Sequence, residues 1–412
     1  MKKKILVKGP VLSCSGYGVQ SRFALKALRS REDLFDIHIQ PIQWGKTSWL
    51  SVYDEERAWI DEKIENTLAY VQQGGHFDLS LQITIPNEFN RIAPVNIGYT
   101  AGIETTKIAH EWVKKSNEMD KIIVVSNHSK HVFGTTEYEA VNKETEETTL
   151  IKVHTPVEVV NYPVRTYDNL PDLSLNLEYD TNFLCVAQMG PRKNLFNTIK
   201  WFVEEFKEEK VGLVVKTNLA RNCLSDREHV YEHLKSFLRD TAPERTCKVY
   251  LLHGDMTNEE IHSLYRHEKI SAFACLTHGE GFGLPFFEAA YSGIPVVAPG
   301  FSGQLDFLCD TQGKEHFYSV AYDLRAVQEE VVWEGVIIPE SMWAYSREQS
   351  SKDMLRQCYN DVLAGEGLAQ QAKEYAGVLK ERFSTEKMYE KFVNSVLEAD
   401  PVEQLIDLEK ML

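Results

Sequence analysis

Leu276-Thr277-His278-Gly279-Glu280-Gly281-Phe282-Gly283-Leu284-Pro285-Phe286-Phe287-Glu288-Ala289-Ala290-Tyr291-Ser292-Gly293-Ile294-Pro295-Val296-Val297-Ala298 decides how this chain reads. An apolar strand ends near Leu276 and a glycine-rich turn follows. Pro285 falls where a helix begins, a position that needs no backbone donor. Gly293 stops that short helix and Pro295 opens the next strand. Glycines 279, 281 and 283 let backbone N–H groups crowd a ligand, and a helix N-terminus adds partial positive charge. That arrangement suits a diphosphate. Glu280 lies in the turn and Glu288, eight positions later, in the expected first turn of the helix. Carboxylates repel phosphate, so their natural partners are hydroxyls. A nucleotide sugar, with a diphosphate between two hydroxyl-bearing rings, satisfies both demands. A glutamate near a helix start also serves as a cap or dipole partner, an alternative stronger for Glu288 than for Glu280.

The surrounding chain alternates short apolar runs with helical-length segments, the pattern of parallel sheets covered by helices. The runs are Ile5–Lys8, Leu79–Ile85, Val95–Tyr99 and Ile122–Ser126, then Phe183–Ala187, Val211–Lys216, Val249–Leu252, Ala272–Leu276 and Pro295–Ala298. Such near-continuous apolar strands belong to sheets buried on both faces. Leu195, Ile199, Phe202 and Phe206 step 4, 3, 4 along one helical face. The change at Asn161-Tyr162-Pro163-Val164 to a Pro/Asp/Asn-rich stretch marks a boundary. The expected domains are 1–163, 164–376 and a helical tail 377–412, whose Phe383, Met388, Phe392 and Val396 pack back on the first. Asn142–Thr149 reads as an exposed hairpin or loop.

From Glu280 to Ala298 the residues follow E-G-F-G-L-P-x-x-E-A-x-x-x-G-x-P-V-V-A. They resemble the signature of retaining glycosyltransferases with the GT-B fold, in particular the large family four, marked by two glutamates separated by seven residues. The resemblance runs upstream through Val249–Met256 and Glu259–Ile261 and downstream into Gly300–Phe307. It implies an α/β, GT-B fold: two facing Rossmann-like doubly wound domains with a C-terminal helical tail. It further implies that Glu280 contacts the transferred sugar and Glu288 the ribose. The backbone of Gly281, Phe282, Gly283 and Leu284 would meet the diphosphate, and His253-Gly254 the base.

A departing nucleoside diphosphate needs its charge stabilised by cations or a metal. No D-x-D pair occurs, so fixed cations are expected, with no cofactor beyond the nucleotide-sugar co-substrate. The candidates are Arg192 and Lys193 in Ala187-Gln188-Met189-Gly190-Pro191-Arg192-Lys193-Asn194, with Asn194 as a helix N-cap. Lys193 matches the family's lysine. The family's arginine follows a glycine just after the strand, where this chain has Ala187-Gln188. Either Arg192 takes that role or Lys216 supplies the second charge. Glu280, Lys193 and Arg192 form the expected catalytic set, with Gln188 and Lys216 on the donor side.

In the first domain Gly16-Tyr17-Gly18 follows a strand and precedes a helix from about Val19 to Leu28. Such a turn fits approach to a phosphate, or is a tight corner. By resemblance this loop faces the donor. The family's histidine after the strand Val95–Tyr99 is replaced by Thr100–Thr106, where Glu104 is a polar or capping residue. His128 reads as an acceptor-side candidate or a turn residue, and Trp44 and Trp49 as an acceptor floor or core.

Length, 412 residues, and 43% hydrophobic content allow two packed domains. No apolar run reaches the roughly 18–20 residues of a membrane span, and the basic N-terminus lacks the features of a signal peptide. Seven scattered cysteines without a C-x-x-C pair fit a reduced, cytoplasmic chain, Cys185 and Cys275 packing as small hydrophobes. The net charge of −16 opposes nucleic acid as the default partner, although a modified base in phage DNA stays among the acceptors, beside sugar, lipid-linked, protein and small-molecule hydroxyls. Competing readings are an epimerase or phosphorylase of the same fold, and a non-catalytic sugar-nucleotide-binding protein.

Overall fold

The computed structural model describes residues 2–45, 47–141 and 148–399. Within these, 2–163, 327–341 and 385–399 form one compact unit and 164–326 with 342–384 a second.

The first unit starts with β1 (Lys3–Gly9), α1 (Gly16–Arg29), β2 (Phe35–Pro41), α2 (Glu55–Gln72), β3 (Leu79–Ile83) and β4 (Val95–Thr100). It continues with α3 (His110–Ser116), β5 (Lys121–Val124), α4 (Asn127–Thr135), β6 (Glu137–Val141), β7 (Thr148–Lys152) and β8 (Val157–Val159). Six strands form a parallel sheet in the order β2-β1-β3-β4-β5-β8. Every residue of β3, β4 and β5 is buried, as strands between two helical layers require. β6 and β7 form an antiparallel pair of their own; of the hairpin or loop expected at 142–149, residues 142–147 lie outside the described residues, and Thr148 and Thr149 are exposed at the start of β7.

The second unit holds β9 (Asn182–Val186), α5 (Leu195–Glu205), β10 (Gly212–Thr217), α6 (Leu224–Thr241), β11 (Lys248–His253), α7 (Asn258–Arg266), β12 (Ile270–Ala274), α8 (Leu284–Ser292) and β13 (Val296–Pro299). After them come α9 (Leu305–Leu308), β14 (Tyr318–Val320), the antiparallel pair β15 (Tyr322–Ala326) and β16 (Met342–Ser346), α10 (Glu348–Ala364) and α11 (Gly367–Arg382). Its parallel sheet runs β11-β10-β9-β12-β13-β14. In chain order this is 3-2-1-4-5-6, the doubly wound arrangement whose ligand crevice opens beyond the strand C-termini where the order reverses, between β9 and β12. The expected apolar face of α5 is realised: Leu195, Ile199 and Phe202 are buried, and Phe202 meets Phe183 of β9 at 5.6 Å.

Two segments rejoin the first unit. Val336 packs in the cluster of Phe89, Trp112, Ile122 and Phe133, where Asn87 accepts from Trp112 Nε1 at 2.6 Å and donates to Gly335 O at 2.8 Å. The last described helix, α12 (Thr385–Leu397), covers α1. Phe392 sits 5.3 Å from Phe23 and 5.2 Å from Tyr99, and Lys121 Nζ ties Glu158 to the carbonyl of Ser395 at 2.8 and 3.0 Å.

The sequence put the tail boundary at 376 and grouped Phe383 with it. Phe383 instead packs on Phe287 of α8 at 5.3 Å, and its carbonyl accepts from Val164 N at 2.8 Å, so 377–384 belong to the second unit. The detour of 327–341 has no expectation to match it. The apolar runs of the sequence also leave out β2, β8 and β14 of the two parallel sheets. Phe35, Ile37 and Ile39 alternate with Asp36, His38 and Gln40 because β2 is an edge strand. β14 is three residues long.

Candidate active site

β9 ends at Val186 and β12 at Ala274, either side of the switch point of the second sheet. The loop after β9 carries Arg192 and Lys193 in a 3-10 turn opened by Pro191. The loop after β12 carries Glu280. Lys193 Nζ donates to Glu280 Oε1 at 2.6 Å, and Arg192 Nη1 lies 3.1 Å from Oε2 while donating to Gly279 O at 2.6 Å. Thr277 Oγ1 donates to the same carboxylate at 2.9 Å. Glu280 is 5% exposed. Burial alone would raise its pKa, but the charges of Lys193 and Arg192 and their hydrogen bonds hold it down at about 2. The ordinary reading of Arg192 and Lys193 as solvated turn residues does not describe this site.

The Glu280 turn is fixed from behind. Glu280 N donates to Ser302 Oγ at 2.8 Å and Gly303 N to Glu280 O at 3.0 Å. A Cβ on Gly303 would stand 2.1 Å from Gly281 O, so only glycine fits there. Ser302 holds φ 74° to make this approach. His278 locks the other side: its N–H donates to Arg192 O at 2.8 Å, its carbonyl accepts from Ala344 N at 2.9 Å, and ring Nδ1 lies 2.7 Å from Ala344 O.

Gly283 (φ 94°) precedes α8 at the N-cap, Pro285 occupies its first turn and Gly293 (φ 87°) closes it, as the sequence indicates. The first-turn amides of α8, beginning at Leu284, have no partner within the helix, which leaves an anion-seeking end beside the Gly281–Gly283 turn. Phe282 is buried against Phe287 and Phe307, so it contributes backbone while its ring anchors the turn.

Glu288 is the fifth residue of α8, beyond the first turn where it was expected, and therefore does not cap the helix. It is 9% exposed, with Arg165 Nη1 3.9 Å from Oε1. Burial pushes its pKa up against the opposing Arg165, Tyr265 and Lys216. Lys216, at the end of β10, is pushed down by burial against the charges of Asp255 and Glu288. The structure thus groups Arg192 with Lys193 at Glu280 and sets Lys216 on the Glu288 side.

At the neighbouring strand ends, His253 Nε2 lies 2.7 Å from Asp226 Oδ1. Asp226, near the start of α6, also accepts from the amides of Leu219, Ala220 and Arg221 at 2.8–2.9 Å, and its pKa falls well below the ordinary value despite burial. Gln188 Nε2 donates to Leu219 O at 2.8 Å, and Gly254 (φ 104°) abuts Asn222, which a Cβ would approach to 2.5 Å. The loops after β9, β10 and β11 are therefore tied into one wall. His253 is a pillar of that wall through its ring.

Asn194 occupies the N-cap position of α5 but makes no capping bond with its side chain. It adopts φ 50°, and its Nδ2 reaches Leu276 O at 2.9 Å, joining the Lys193 and Glu280 loops. In the first unit, Gly18 is glycine because a Cβ would lie 1.9 Å from Ser13 O, and its amide is taken by the Ser15 cap at 3.1 Å. The packing against Ser13 gives Gly18 a structural reason to be glycine beside the expected phosphate contact, and Gly16 is exposed with nothing near its Cβ position. Trp44 packs on Tyr17 at 4.3 Å, half-buried, while Trp49 is exposed and bridged to Ser13. Glu104 is half-buried in the loop after β4. His128 stands in the first turn of α4, where burial and its surroundings lower its pKa to about 4. Sequence reasoning missed Thr277, Ser302, Gly303, Asp226 and Arg165, whose parts arise from contacts distant along the chain.

Among the described residues no helix is long and apolar enough to cross a membrane, and no group of three or more His, Cys, Asp or Glu is placed to hold a metal ion.

Residues 174–323 match the family described as Glycosyl transferases group 1. A serotype-specific mannosyltransferase, WbdA of Escherichia coli, is 30% identical over 131 residues, 32% of this chain and 15% of that protein, so the match spans a small part of the curated relative. Over the whole chain the fold is similar to sucrose-phosphate synthase from Thermosynechococcus elongatus, with a TM-score of 0.60 and 12% identity over 99% of this chain and all of that one. A glycosyltransferase from Rickettsia africae gives 0.59 and 13% over 97% and 98%. At such identities the likeness carries the fold alone. The chain has the GT-B fold, and the stretch that matches the glycosyl transferases group 1 family falls within 164–326 of its second unit.

Proposed function

We propose that the protein is a metal-independent glycosyltransferase that moves a sugar from a nucleotide-diphosphate sugar to a hydroxyl acceptor with retention of anomeric configuration. The observation that carries this reading is the buried Glu280 carboxylate held ionised by Lys193 and Arg192 at the switch point of the second sheet. In the donor complex the diphosphate would rest on the Gly281–Leu284 amides and share the two cations, with Glu280 turned to the sugar hydroxyls and Glu288 to the ribose. The base would lie toward the His253-Gly254 wall.

The bond from the anomeric carbon to the phosphate oxygen breaks, and the leaving nucleoside diphosphate keeps the electron pair. The acceptor oxygen attacks the same face, and its proton passes to the departing phosphate. Because the enzyme offers cations and amides where charge develops, its contribution is positioning and electrostatics. The named activity of the E. coli relative makes mannosyl donors the first to try.

The test is thermal-shift screening against uridine-, guanosine- and adenosine-diphosphate sugars, with Glu280→Ala as control, followed by product stereochemistry. A ligand that binds only the native state raises the melting point with the logarithm of its concentration. No stabilisation by any nucleotide would sink the reading; an inverted linkage would sink its stereochemical part. Turnover of a donor without any acceptor would favour an epimerase instead.

A further inference from the structure

Glu280 and Glu288 are both buried, yet their cations stand differently. At Glu280 the cations are in hydrogen-bonding contact, 2.6 and 3.1 Å. At Glu288, Arg165 Nη1 stays 3.9 Å from Oε1, too far for a hydrogen bond. It neutralises the carboxylate without occupying its lone pairs. The guanidinium is kept at that distance by other contacts: Nη1 donates to Asn258 Oδ1 of α7 at 3.2 Å, and the backbone just before it is pinned by Val164 N to Phe383 O. Tyr167, two residues on, packs on His262 of α7 at 4.6 Å.

We infer that Arg165 is a positioning residue for nucleoside recognition: it holds Glu288 as an ionised carboxylate without itself hydrogen-bonding to it, so that lone pairs beyond the Tyr265 contact are left for the vicinal hydroxyls of a ribose. This rests on the reading of Glu288 as the ribose partner. A vicinal diol presents two donors and is gripped best by two anionic acceptor oxygens. A neutral carboxyl accepts less strongly, and burial favours that neutral form; burial does push Glu288 upward, with Arg165 first among the opposing influences. An arginine suits the task because its charge persists at any working pH and its planar group is fixed by few contacts. The consequence is a preference for ribose over deoxyribose that depends on a residue touching neither.

The experiment measures binding of UDP, GDP and ADP and of their 2′-deoxy counterparts to the full chain by calorimetry. For the tightest base the native protein is expected to favour the ribose form by about tenfold or more, the worth of a hydrogen bond to a charged group. Arg165→Met should bring ribose affinity to within about twofold of deoxyribose affinity, leaving the deoxy form unchanged. Glu288→Gln should do the same, and Arg165→Lys should recover part of the preference. Equal weakening of both forms in Arg165→Met marks a merely structural residue and overturns the inference. So does a preference that survives in Arg165→Met while Glu288→Gln abolishes it, a result that leaves the proposed function standing. Failure of the native chain to bind any of the diphosphates overturns the proposed function and the inference together. Should Arg165→Met not fold, Arg165→Gln is read by the same ratio.

Discussion

Lys193 Nζ stands 2.6 Å from Glu280 Oε1, across two loops 87 residues apart in the chain. Each residue secures the other in the free protein, and the proposed function has each face a different part of the donor. Lys193→Ala is expected to lower kcat by about 10²–10³, the usual loss on removing one preorganised charge partner of a leaving group. Steady-state kinetics with the donor found by screening checks this; a change confined to KM would speak against a role in leaving-group stabilisation.

The same pair makes stability depend on acid. The Glu280 pKa is lowered from 4.5 to about 2 in the fold. A depressed carboxylate contributes stability that is present above its unfolded pKa and lost as pH falls through the folded one. Urea unfolding of the native chain and of Glu280→Gln, compared from pH 7 to pH 2, should show a constant difference above about 4.5 that shrinks steadily below it. A difference that grows on acidification would contradict the geometry.

Gly303→Ala is expected to destabilise the second unit by about 1–3 kcal/mol, because its Cβ would press on the Gly281 carbonyl and push out the turn. Donor affinity should fall in the same variant. Denaturant titration and nucleotide binding measured on one preparation test both halves.

Asp226→Ala should cost about 3 kcal/mol or more, since three backbone amides and the His253 ring lose their acceptor at once. Asp226→Asn, keeping one acceptor oxygen, should fall between. The depressed pKa of Asp226 means that its stabilisation, like that of Glu280, fades on acidification. Hydrogen exchange at Leu219, Ala220 and Arg221 reports the loss directly.

Phe392→Ala removes the ring that α12 seats on Phe23 and Tyr99. A loss of about 3–5 kcal/mol is expected in the first unit, read from its unfolding transition, with nucleotide binding by the second unit retained.

Much of this was legible because it is local. Pro285, the glycine turn and the stop at Gly293 are all written within one stretch, and they recur in the structure as α8 and its flanks. Buried parallel strands announce themselves as apolar runs, so β4, β5, β9 and β12 were found within a residue or two. What escaped depends on pairings that spacing does not encode. Gly303 matters only because Gly281 folds against it. Arg165 gains meaning from Glu288, more than a hundred residues later. At Gly18 the sequence shows a Gly-x-Gly turn but not the carbonyl of Ser13 that a Cβ there would strike. Edge strand β2 alternates apolar with polar residues and so lacks the continuous apolar run that marks a strand buried on both faces.

The chain passes between its two units four times, at 163/164, 326/327, 341/342 and 384/385. During synthesis, therefore, the earlier unit emerges first and is completed last: its α1 face, with Phe23, waits uncovered until Phe392 has left the ribosome. The later unit, lacking only 342–384 when 326 is made, can close before it. A truncation that removes α12 should leave the first unit aggregation-prone and the second unit intact, and expression as two separate contiguous fragments should fail for the first and come closer to succeeding for the second.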